Sequence, residues 1–136
     1  MKPRVLVVYD DLDFVELIEF NLRQDGCESL VAYTGVQALR IARTQLPDII
    51  LLDLMLPDLD GLSVCEILNS QPSTHDIPVF ILTALNRTWT ETRKSKAQFA
   101  RFFTKPVDLK VLRESVRTVA WEHLVQARSR LAENGL

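Results

Sequence analysis

The sequence predicts one α/β domain built on a doubly wound parallel sheet. Short apolar, β-branched runs alternate five times with helical patterns along 136 residues, and such alternation is typical of parallel sheets with right-handed crossovers. The run Ile-Ile-Leu-Leu at 49–52 is apolar on both faces, which is typical of a central strand covered by helices on both sides. A chain of this length can bury about two thirds of its unfolded surface as a single domain.

The strands and the first three helices follow from local signals. Strands are predicted at residues 5–8, 28–33, 48–52, 78–82 and 99–103. The first helix has apolar residues at helical spacing, and Gly26 supplies its stop; the spaced residues are Phe14, Leu17, Ile18 and Leu22. Thr34 is placed to cap the second helix, which ends before Pro47. A third helix is predicted over residues 62–68.

The last helix begins after Pro106, and Asp108 is placed to cap it. Its apolar positions recur at helical spacing: Leu109, Val111, Leu112, Val116, Val119 and Ala120. The pattern then continues through Trp121, Leu124, Val125 and Leu131 toward Gly135. We therefore predict a domain over residues 1–120 and a helical extension over 121–136. The extension could cover its own domain, form a dimer seam or lead to an output domain.

Bulk properties exclude several classes of function. The net charge of −2 gives no broad basic field, so nucleic-acid binding by this domain alone is not expected. Cys27 and Cys65 fit neither a metal spacing nor a disulfide framework, so we expect small buried hydrophobic residues. The apolar runs are too short to span a membrane. Without a signal peptide before the first strand, a cytoplasmic protein is expected.

Polar residues follow four of the predicted strands: Asp10, Asp53, Thr83 and Lys105. Because parallel strands end on one side of a sheet, these side chains are expected to share one crevice. Two carboxylates there suit Mg²⁺, which keeps several waters and takes one or two protein carboxylates. A lysine and a threonine hydroxyl could neutralise and hydrogen-bond a transferred phosphoryl group, with Asp53 as the nucleophile.

Taken singly, the same residues have structural interpretations. Lys105 could be a solvated surface residue, and Thr83 could bond its own backbone. The acids could cap a helix or form turns; these are Asp10, Asp11, Asp58 and Asp60. The joint placement at four strand ends favours the chemical interpretation.

Together these motifs resemble the receiver domain of two-component response regulators over about residues 4–120. The matching pieces are VLVVYDD at 5–11, PDIILLDLMLP at 47–57, Asp60-Gly61, Leu82-Thr83-Ala84 and Thr104-Lys105-Pro106. The resemblance implies the chemotaxis-regulator-like fold, a (βα)₅ domain with the flavodoxin-like strand order 2-1-3-4-5. An extended C-terminal helix would follow it.

The resemblance also implies a magnesium-dependent phosphorylation site. Asp53 would accept a phosphoryl group from a histidine kinase, a phosphotransfer protein or a small phosphodonor. Asp10 and the main-chain carbonyl of Met55 would bind Mg²⁺ together with Asp53. The domain would catalyse its own phosphorylation and slow dephosphorylation, which makes it a signalling domain rather than a metabolic enzyme.

A conformational switch is implied as well. Thr83 would hydrogen-bond the phosphoryl group, and Lys105 would contact it as a positive charge. In the family, movement of this threonine is coupled to an aromatic residue on the fifth strand, here Phe102. The coupling is a two-state population shift driven by the covalent charge.

Tyr9 departs from the family pattern, because it stands where the first of two adjacent acids is usual. Phe14, Leu17 and Ile18 fall in their usual places with Tyr9 as the first position, which argues against Asp10 and Asp11 as the pair. The family's acid helps to hold the metal, commonly through water. Because a phenol lacks a carboxylate's charge at pH 7, we predict weakened Mg²⁺ binding.

A second departure lies at residues 98–103, where family members usually have Gly-Ala and then often two acids. Ala100 and Arg101 replace those acids, so the dimer that the acidic pair supports in DNA-binding subfamilies is not expected. A homodimer by other contacts stays open. Phe102 lacks a tyrosine hydroxyl, so a buried inward rotamer is favoured.

Two further positions bear on partners and on the lifetime of the modified state. A polar helix around residues 89–97 is either solvated or a docking surface anchored by Trp89. Met55 and Leu85 flank the expected phosphoryl site, at positions that modulate hydrolysis in the family. Neither can orient an attacking water, so a long-lived phosphoaspartate is predicted.

The leading hypothesis is a phosphorylation-controlled signalling switch. Its main alternative is an atypical receiver that acts as a protein-interaction module without phosphorylation, because Tyr9 leaves the metal site one acid short. A hydrolase of the haloacid-dehalogenase type would need an acid two residues after its nucleophile, where this chain has Met55. A flavin-binding protein of similar topology is disfavoured, since the acidic turn at 9–13 would repel a phosphate without bound metal.

Overall fold

The computed structural model describes residues 1–84 and 95–133. Five parallel strands form one sheet in the order β2-β1-β3-β4-β5, which confirms the predicted doubly wound architecture. The strands are β1 Arg4–Val8, β2 Glu28–Ala32, β3 Ile49–Asp53, β4 Val79–Thr83 and β5 Arg101–Thr104. All residues of β3, the central strand, are buried, as its two-sided apolar sequence predicts.

The described helices are α1 Leu12–Gln24, α2 Gly35–Gln45, α3 Gly61–Ser70 and the C-terminal helix α4 Leu109–Glu133. Two predicted caps are confirmed: Thr34 Oγ1 accepts from the Gln37 N–H, and Asp108 Oδ1 accepts from the Lys110 N–H. Gly26 lies just beyond α1 with a φ of +78°, a conformation that glycine adopts without strain. In the described part of the chain, no helix is long and apolar enough to cross a membrane.

The core has two layers, because alternate residues of a strand face opposite sides of the sheet. Leu6 and Val8 pack with residues of α2 and α3, in what we term the α2–α3 cluster. Val5 and Val7 pack on the other side with α1 and α4, in the α1–α4 cluster. Helices therefore cover both faces of the sheet, and its edge where the strands end is left for polar residues.

Both cysteines are free and buried, as the sequence predicts. Cys27 belongs to the α1–α4 cluster and Cys65 to the α2–α3 cluster. Burial raises the pKa of the Cys65 thiol to about 12, so this thiol stays protonated and unreactive at neutral pH.

All five strands differ from the prediction by one or two residues at one or both ends. β3 runs on to Asp53 and β4 to Thr83, while β5 begins only at Arg101. The ladder explains the extensions, because Asp53 pairs with Leu82 and Thr83 pairs with Thr104. Asp53 and Thr83 are thus held inside the ends of the sheet, whereas Asp10 and Lys105 lie just after their strands.

Some positions of the predicted helical patterns differ from the structure, and others fall outside the described residues. Val111 is 39% exposed, so it is not part of the apolar stripe of α4; the buried stripe is Leu112, Val116 and Ala120. Leu85, Trp89 and Gly135 lie outside the described residues, and so does most of the predicted helix at 89–97. Its described residues, 95–97, are not helical.

The extension of α4 beyond residue 120 contacts the edge of the sheet at which the strands begin, opposite the edge that carries Asp53. His123 Nδ1 lies 3.0 Å from Asp48 Oδ1, immediately before β3. About two helical turns further on, Arg130 donates to Asp76 Oδ2 at 2.7 Å. Trp121 and Leu124 are half-buried and extend the apolar stripe, whereas Val125 and Leu131 are exposed and do not.

Candidate functional site

Asp53 is the last residue of β3, and its exposed fraction is only 2%. Its Oδ1 accepts from the Met55 N–H at 3.1 Å and lies 3.4 Å from Lys105 Nζ. Burial raises the pKa of the Asp53 carboxyl, although the Met55 N–H and the charge of Lys105 oppose the shift. The nearby charge of Asp10 raises it further. The site thus holds a carboxylate with few compensating contacts, which is typical of a functional group.

Lys105 follows β5 directly, and its N–H donates to the Thr83 carbonyl at 2.8 Å. Its Nζ lies 4.3 Å from the centroid of the Tyr9 ring. Burial lowers the pKa of Lys105, but the contact with the Tyr9 side chain and the charge of Asp53 outweigh burial and raise it. Lys105 is therefore a fixed positive charge at the strand ends, and the interpretation as a solvated residue is wrong.

Asp10 lies just after β1, and its side chain is exposed. No group of three or more His, Cys, Asp or Glu residues within 1–84 and 95–133 is placed to hold a metal ion. The two carboxylates of Asp10 and Asp53 are nevertheless hard oxygen donors, and Mg²⁺ takes one or two of these with several waters. The donor set fits Mg²⁺, with one protein carboxylate fewer than a site that has an acid in place of Tyr9.

Met55 is held next to this site by its backbone. Besides donating its N–H to Asp53, it forms an isolated antiparallel bridge with Asp60. Its side chain is 50% exposed and stands at the rim of the site. The backbone of Met55 is therefore fixed next to the carboxylate that it would join in binding a metal.

Thr83 and Phe102 occupy the two neighbouring strands β4 and β5. Thr83 is fully buried, and its Oγ1 donates to the Ala84 carbonyl at 3.4 Å. This is the backbone bond of the structural interpretation, and it is too long to be strong. Phe102 is half-buried and packs against the α2–α3 cluster. Its ring centroid is 6.3 Å from that of Phe99.

Two residues of the predicted turn have contacts beyond it: Gly61 supports the site directly, and Asp58 caps a neighbouring helix. A Cβ on Gly61 would lie 2.5 Å from the carbonyl oxygen of Asp53, so a glycine is required by close approach. Asp58 accepts from the Gly35 N–H at 2.7 Å and thereby caps α2 from a different loop. Hydrogen bonding to Gly35 lowers the pKa of Asp58. The adjacent residues Asp60 and Gly61 are a local signal for the turn. No local signal indicates the contact of Gly61 with Asp53 or that of Asp58 with α2.

The chain matches a family model described as the response regulator receiver domain over residues 5–117. Response regulator PleD of Caulobacter vibrioides is 39% identical over 92% of this chain, which covers 28% of PleD. The transcriptional regulatory protein PhoP of Bacillus subtilis is 31% identical over 98% of this chain, which covers 55% of PhoP. The chain thus spans about a quarter to a half of the length of these relatives.

Solved structures agree with these matches. The receiver domain of the sensor histidine kinase PA1611 from Pseudomonas aeruginosa PAO1 has a TM-score of 0.78 and 28% identity. That match covers 88% of this chain and 98% of the other, and that structure has a magnesium ion coordinated in its active-site cleft. The comparisons give no support to a receiver that acts without phosphorylation.

Proposed function

The chain belongs to the family of response regulator receiver domains, and from this premise we propose that Asp53 accepts the phosphoryl group. One observation carries the proposal: Asp53 is a buried carboxylate at the end of the central strand, with the Lys105 ammonium 3.4 Å away. Carboxylates serve as nucleophiles in aspartyl-phosphate chemistry. The domain is a phosphorylation-controlled signalling switch rather than a metabolic enzyme.

The proposed reaction is phosphoryl transfer from a phosphohistidine. An Asp53 carboxylate oxygen forms a bond to phosphorus as the P–N bond breaks, and the electron pair of that bond stays on the imidazole nitrogen. Because the other ring nitrogen carries a proton, the histidine leaves as a neutral imidazole. Lys105 neutralises charge on the transferred oxygens. Mg²⁺, when bound, supplies further positive charge to the same oxygens.

The residues proposed to hold Mg²⁺ are Asp10, Asp53 and the main-chain carbonyl of Met55. Receiver domains bind Mg²⁺ in their active sites, and a magnesium ion lies in the cleft of the PA1611 receiver. Tyr9 removes one negative charge from this set, and its phenol stays protonated because burial raises its pKa. We therefore propose that this domain binds Mg²⁺ more weakly than a receiver with an acid at that position.

The proposed switch uses Thr83 and Phe102. On phosphorylation the Thr83 hydroxyl exchanges its long bond to Ala84 for a bond to a phosphoryl oxygen, which costs little because the existing bond is weak. The movement of Thr83 changes the space next to Phe102, whose ring packs into the core. The covalent charge thereby shifts the population between two states of the β4–β5 edge.

The proposed phosphoryl donors are a sensor histidine kinase or a phosphotransfer protein, in line with the family's signalling role. A homodimer through an acidic pair on β5 is not proposed, because Ala100 and Arg101 stand there. Arg101 instead bonds Ser115 and lies 5.1 Å from the Phe103 ring centroid. A homodimer of this domain would therefore use other contacts.

We also propose that residues 121–136 form an extension to a receiver domain over residues 1–120, and that this extension covers its own domain. Support comes from the contacts of His123 with Asp48 and of Arg130 with Asp76. Both contacts join α4 to residues of the receiver domain rather than leaving the helix unattached. A dimer seam or a link to an output domain would then use the exposed side of α4, where Val125 and Leu131 lie.

The test of Asp53 is intact-protein mass spectrometry after incubation with acetyl phosphate and Mg²⁺. We expect one added phosphoryl mass in the unaltered chain and none in Asp53→Asn. Asp58→Asn is the matched control, because Asp58 is an exposed acid in the adjoining loop. Added mass that persists in Asp53→Asn would refute Asp53 as the acceptor. No added mass in any protein would favour the phosphorylation-independent alternative.

The same experiment gives the lifetime of the modified state. Because the Met55 side chain at the rim has no group that orients water, the added mass is expected to persist for many minutes after the donor is removed. Leu85, the other flanking residue, is equally apolar. Loss of the added mass within seconds would contradict a long-lived phosphoaspartate.

A further inference from the structure

Tyr9 is held by its backbone and by its ring. The Tyr9 backbone N–H donates to the Ala32 carbonyl at 3.1 Å and so continues the β1–β2 ladder. The ring stacks on that of Phe14 in the first turn of α1, with centroids 4.3 Å apart and planes at 25°. Tyr9 is only 4% exposed. The ring is therefore part of the core and has little freedom to move.

The ammonium of Lys105 contacts both this ring and the acceptor carboxylate. Its Nζ is 4.3 Å from the Tyr9 ring centroid, well within the distance at which a cation is attracted to an aromatic face. The same Nζ is 3.4 Å from Asp53 Oδ1, which is long for a charge-assisted hydrogen bond. The carboxylate alone therefore does not fix the ammonium, and the ring is its second support.

We propose that Tyr9 is a positioning residue that holds the Lys105 ammonium beside Asp53 in the unmodified domain. This inference rests on the proposed function of Asp53 and extends it to a residue at which the chain departs from its family. An uncharged ring attracts the ammonium without adding a negative charge that would compete with Asp53 or repel an incoming phosphoryl group. A flexible lysine that is already in place loses less conformational freedom when the phosphoryl group arrives.

The proposal is tested first by NMR of the whole chain, free of metal and phosphodonor. A proton above an aromatic face is shielded, so the Hε signals of Lys105 are expected upfield of those of the other four lysines. Tyr9→Phe keeps the ring and should keep most of this shift, whereas Tyr9→Leu should abolish it. Tyr33→Leu is the matched control, because Tyr33 is the chain's other tyrosine and is 40% exposed.

The second measurement is the rate of phosphorylation by acetyl phosphate at saturating Mg²⁺. Tyr9→Leu is expected to slow it about threefold to tenfold, which is the range of one cation–π contact. Tyr9→Phe should restore most of the rate, and Tyr33→Leu should not change it. If Tyr9→Leu does not fold, Tyr9→Phe decides the test. A Lys105 shift that is retained in Tyr9→Phe then supports the proposal.

An unshifted Lys105 signal in the unaltered chain would overturn the proposal, and so would a shift that survives in Tyr9→Leu. A shift lost in Tyr9→Phe as completely as in Tyr9→Leu would also overturn it, because the hydroxyl rather than the ring would then hold the lysine. The NMR result does not depend on phosphorylation. If the unaltered chain takes up no phosphoryl group, the proposed function fails while the position of Lys105 is still decided.

Discussion

Asp48 and Asp53 flank the same strand at opposite edges of the sheet, and both are buried, with exposed fractions of 5% and 2%. Asp48 accepts from the Arg4 N–H at 2.8 Å and lies 3.0 Å from His123 Nδ1, so each of its oxygens has a short contact. The contacts of Asp53 are 3.1 and 3.4 Å and fall on one oxygen. The first carboxylate is satisfied by the fold, whereas the second keeps an oxygen for a ligand or for chemistry.

The comparison is broken most strongly by deleting the satisfied carboxylate. Asp48→Ala leaves the backbone N–H of Arg4 and the half-buried ring of His123 without their partner, and should cost about 3–5 kcal/mol of unfolding free energy. Asp53→Asn removes a buried, weakly compensated charge and should raise stability by about 1 kcal/mol. Urea unfolding followed by circular dichroism measures both. Equal losses in the two variants would show that the carboxylates do not differ as described.

The next effect concerns the backbone that supports Asp53. In Gly61→Ala the new Cβ would meet the Asp53 carbonyl oxygen and the Leu54 Cα at 2.5 and 2.6 Å, so the strand end must shift. The expected cost is about 2 kcal/mol, with slower phosphorylation by acetyl phosphate. Gly26→Ala is the control, because it has open space and only strain from its φ of +78°, about 1 kcal/mol. A normal phosphorylation rate in Gly61→Ala would contradict the supporting role of Gly61.

The two ends of β3 also differ in how far the sequence predicts them. The residues at the strand ends could be predicted, because an apolar run followed by a carboxylate is a local pattern and parallel strands end on one side. Thr34 and Asp108 were equally accessible as caps, since a cap acts on its own helix within three residues. The strand order itself came from the resemblance to a family, not from any spacing.

Contacts between distant parts of the chain could not be predicted. His123 is 75 residues away from Asp48 in sequence, and Asp58 caps α2 from 23 residues downstream. Such contacts depend on where whole helices pack, and neither periodicity nor turn chemistry encodes that. The contact between Lys105 and the Tyr9 ring was missed for the same reason. The sequence marked Tyr9 as a lost acid, whereas only the packing gives it a neighbour.

A smaller effect sharpens the account of the metal site. Tyr9→Asp adds a carboxylate beside Asp10, and one more charge near the ion is worth about 1 kcal/mol in a solvated site. Mg²⁺ is therefore expected to bind roughly fivefold to tenfold more tightly, as measured by isothermal titration calorimetry. Tyr9→Asn is the uncharged control and should leave the affinity near that of the unaltered chain. An affinity unchanged by Tyr9→Asp would sink the prediction that Tyr9 weakens the site.

The smallest effect is the dependence of stability on pH in metal-free protein. Burial raises the pKa of the Asp53 carboxyl above its ordinary value, so the folded state keeps this proton at a pH where the unfolded chain releases it. The resulting contribution to stability is complete below the unfolded pKa and is lost as pH rises through the folded pKa. Asp53→Asn removes this loss, so its advantage in unfolding free energy should grow as pH rises from about 4 toward neutrality.

Asp58 provides a control of opposite sign for this pH series. Hydrogen bonds from the Gly35 N–H and its neighbours lower the pKa of Asp58, so its contribution is present above the unfolded pKa and is lost as pH falls through the folded one. Asp58→Asn should therefore be less stable than the unaltered chain near neutral pH, and this difference in unfolding free energy should shrink toward acid pH. Asp53→Asn should be more stable than the unaltered chain near neutral pH, and that difference should also shrink toward acid pH. Unfolding curves at a series of pH values in EDTA measure both. Parallel profiles for Asp53→Asn and the unaltered chain would contradict a raised pKa of the Asp53 carboxyl.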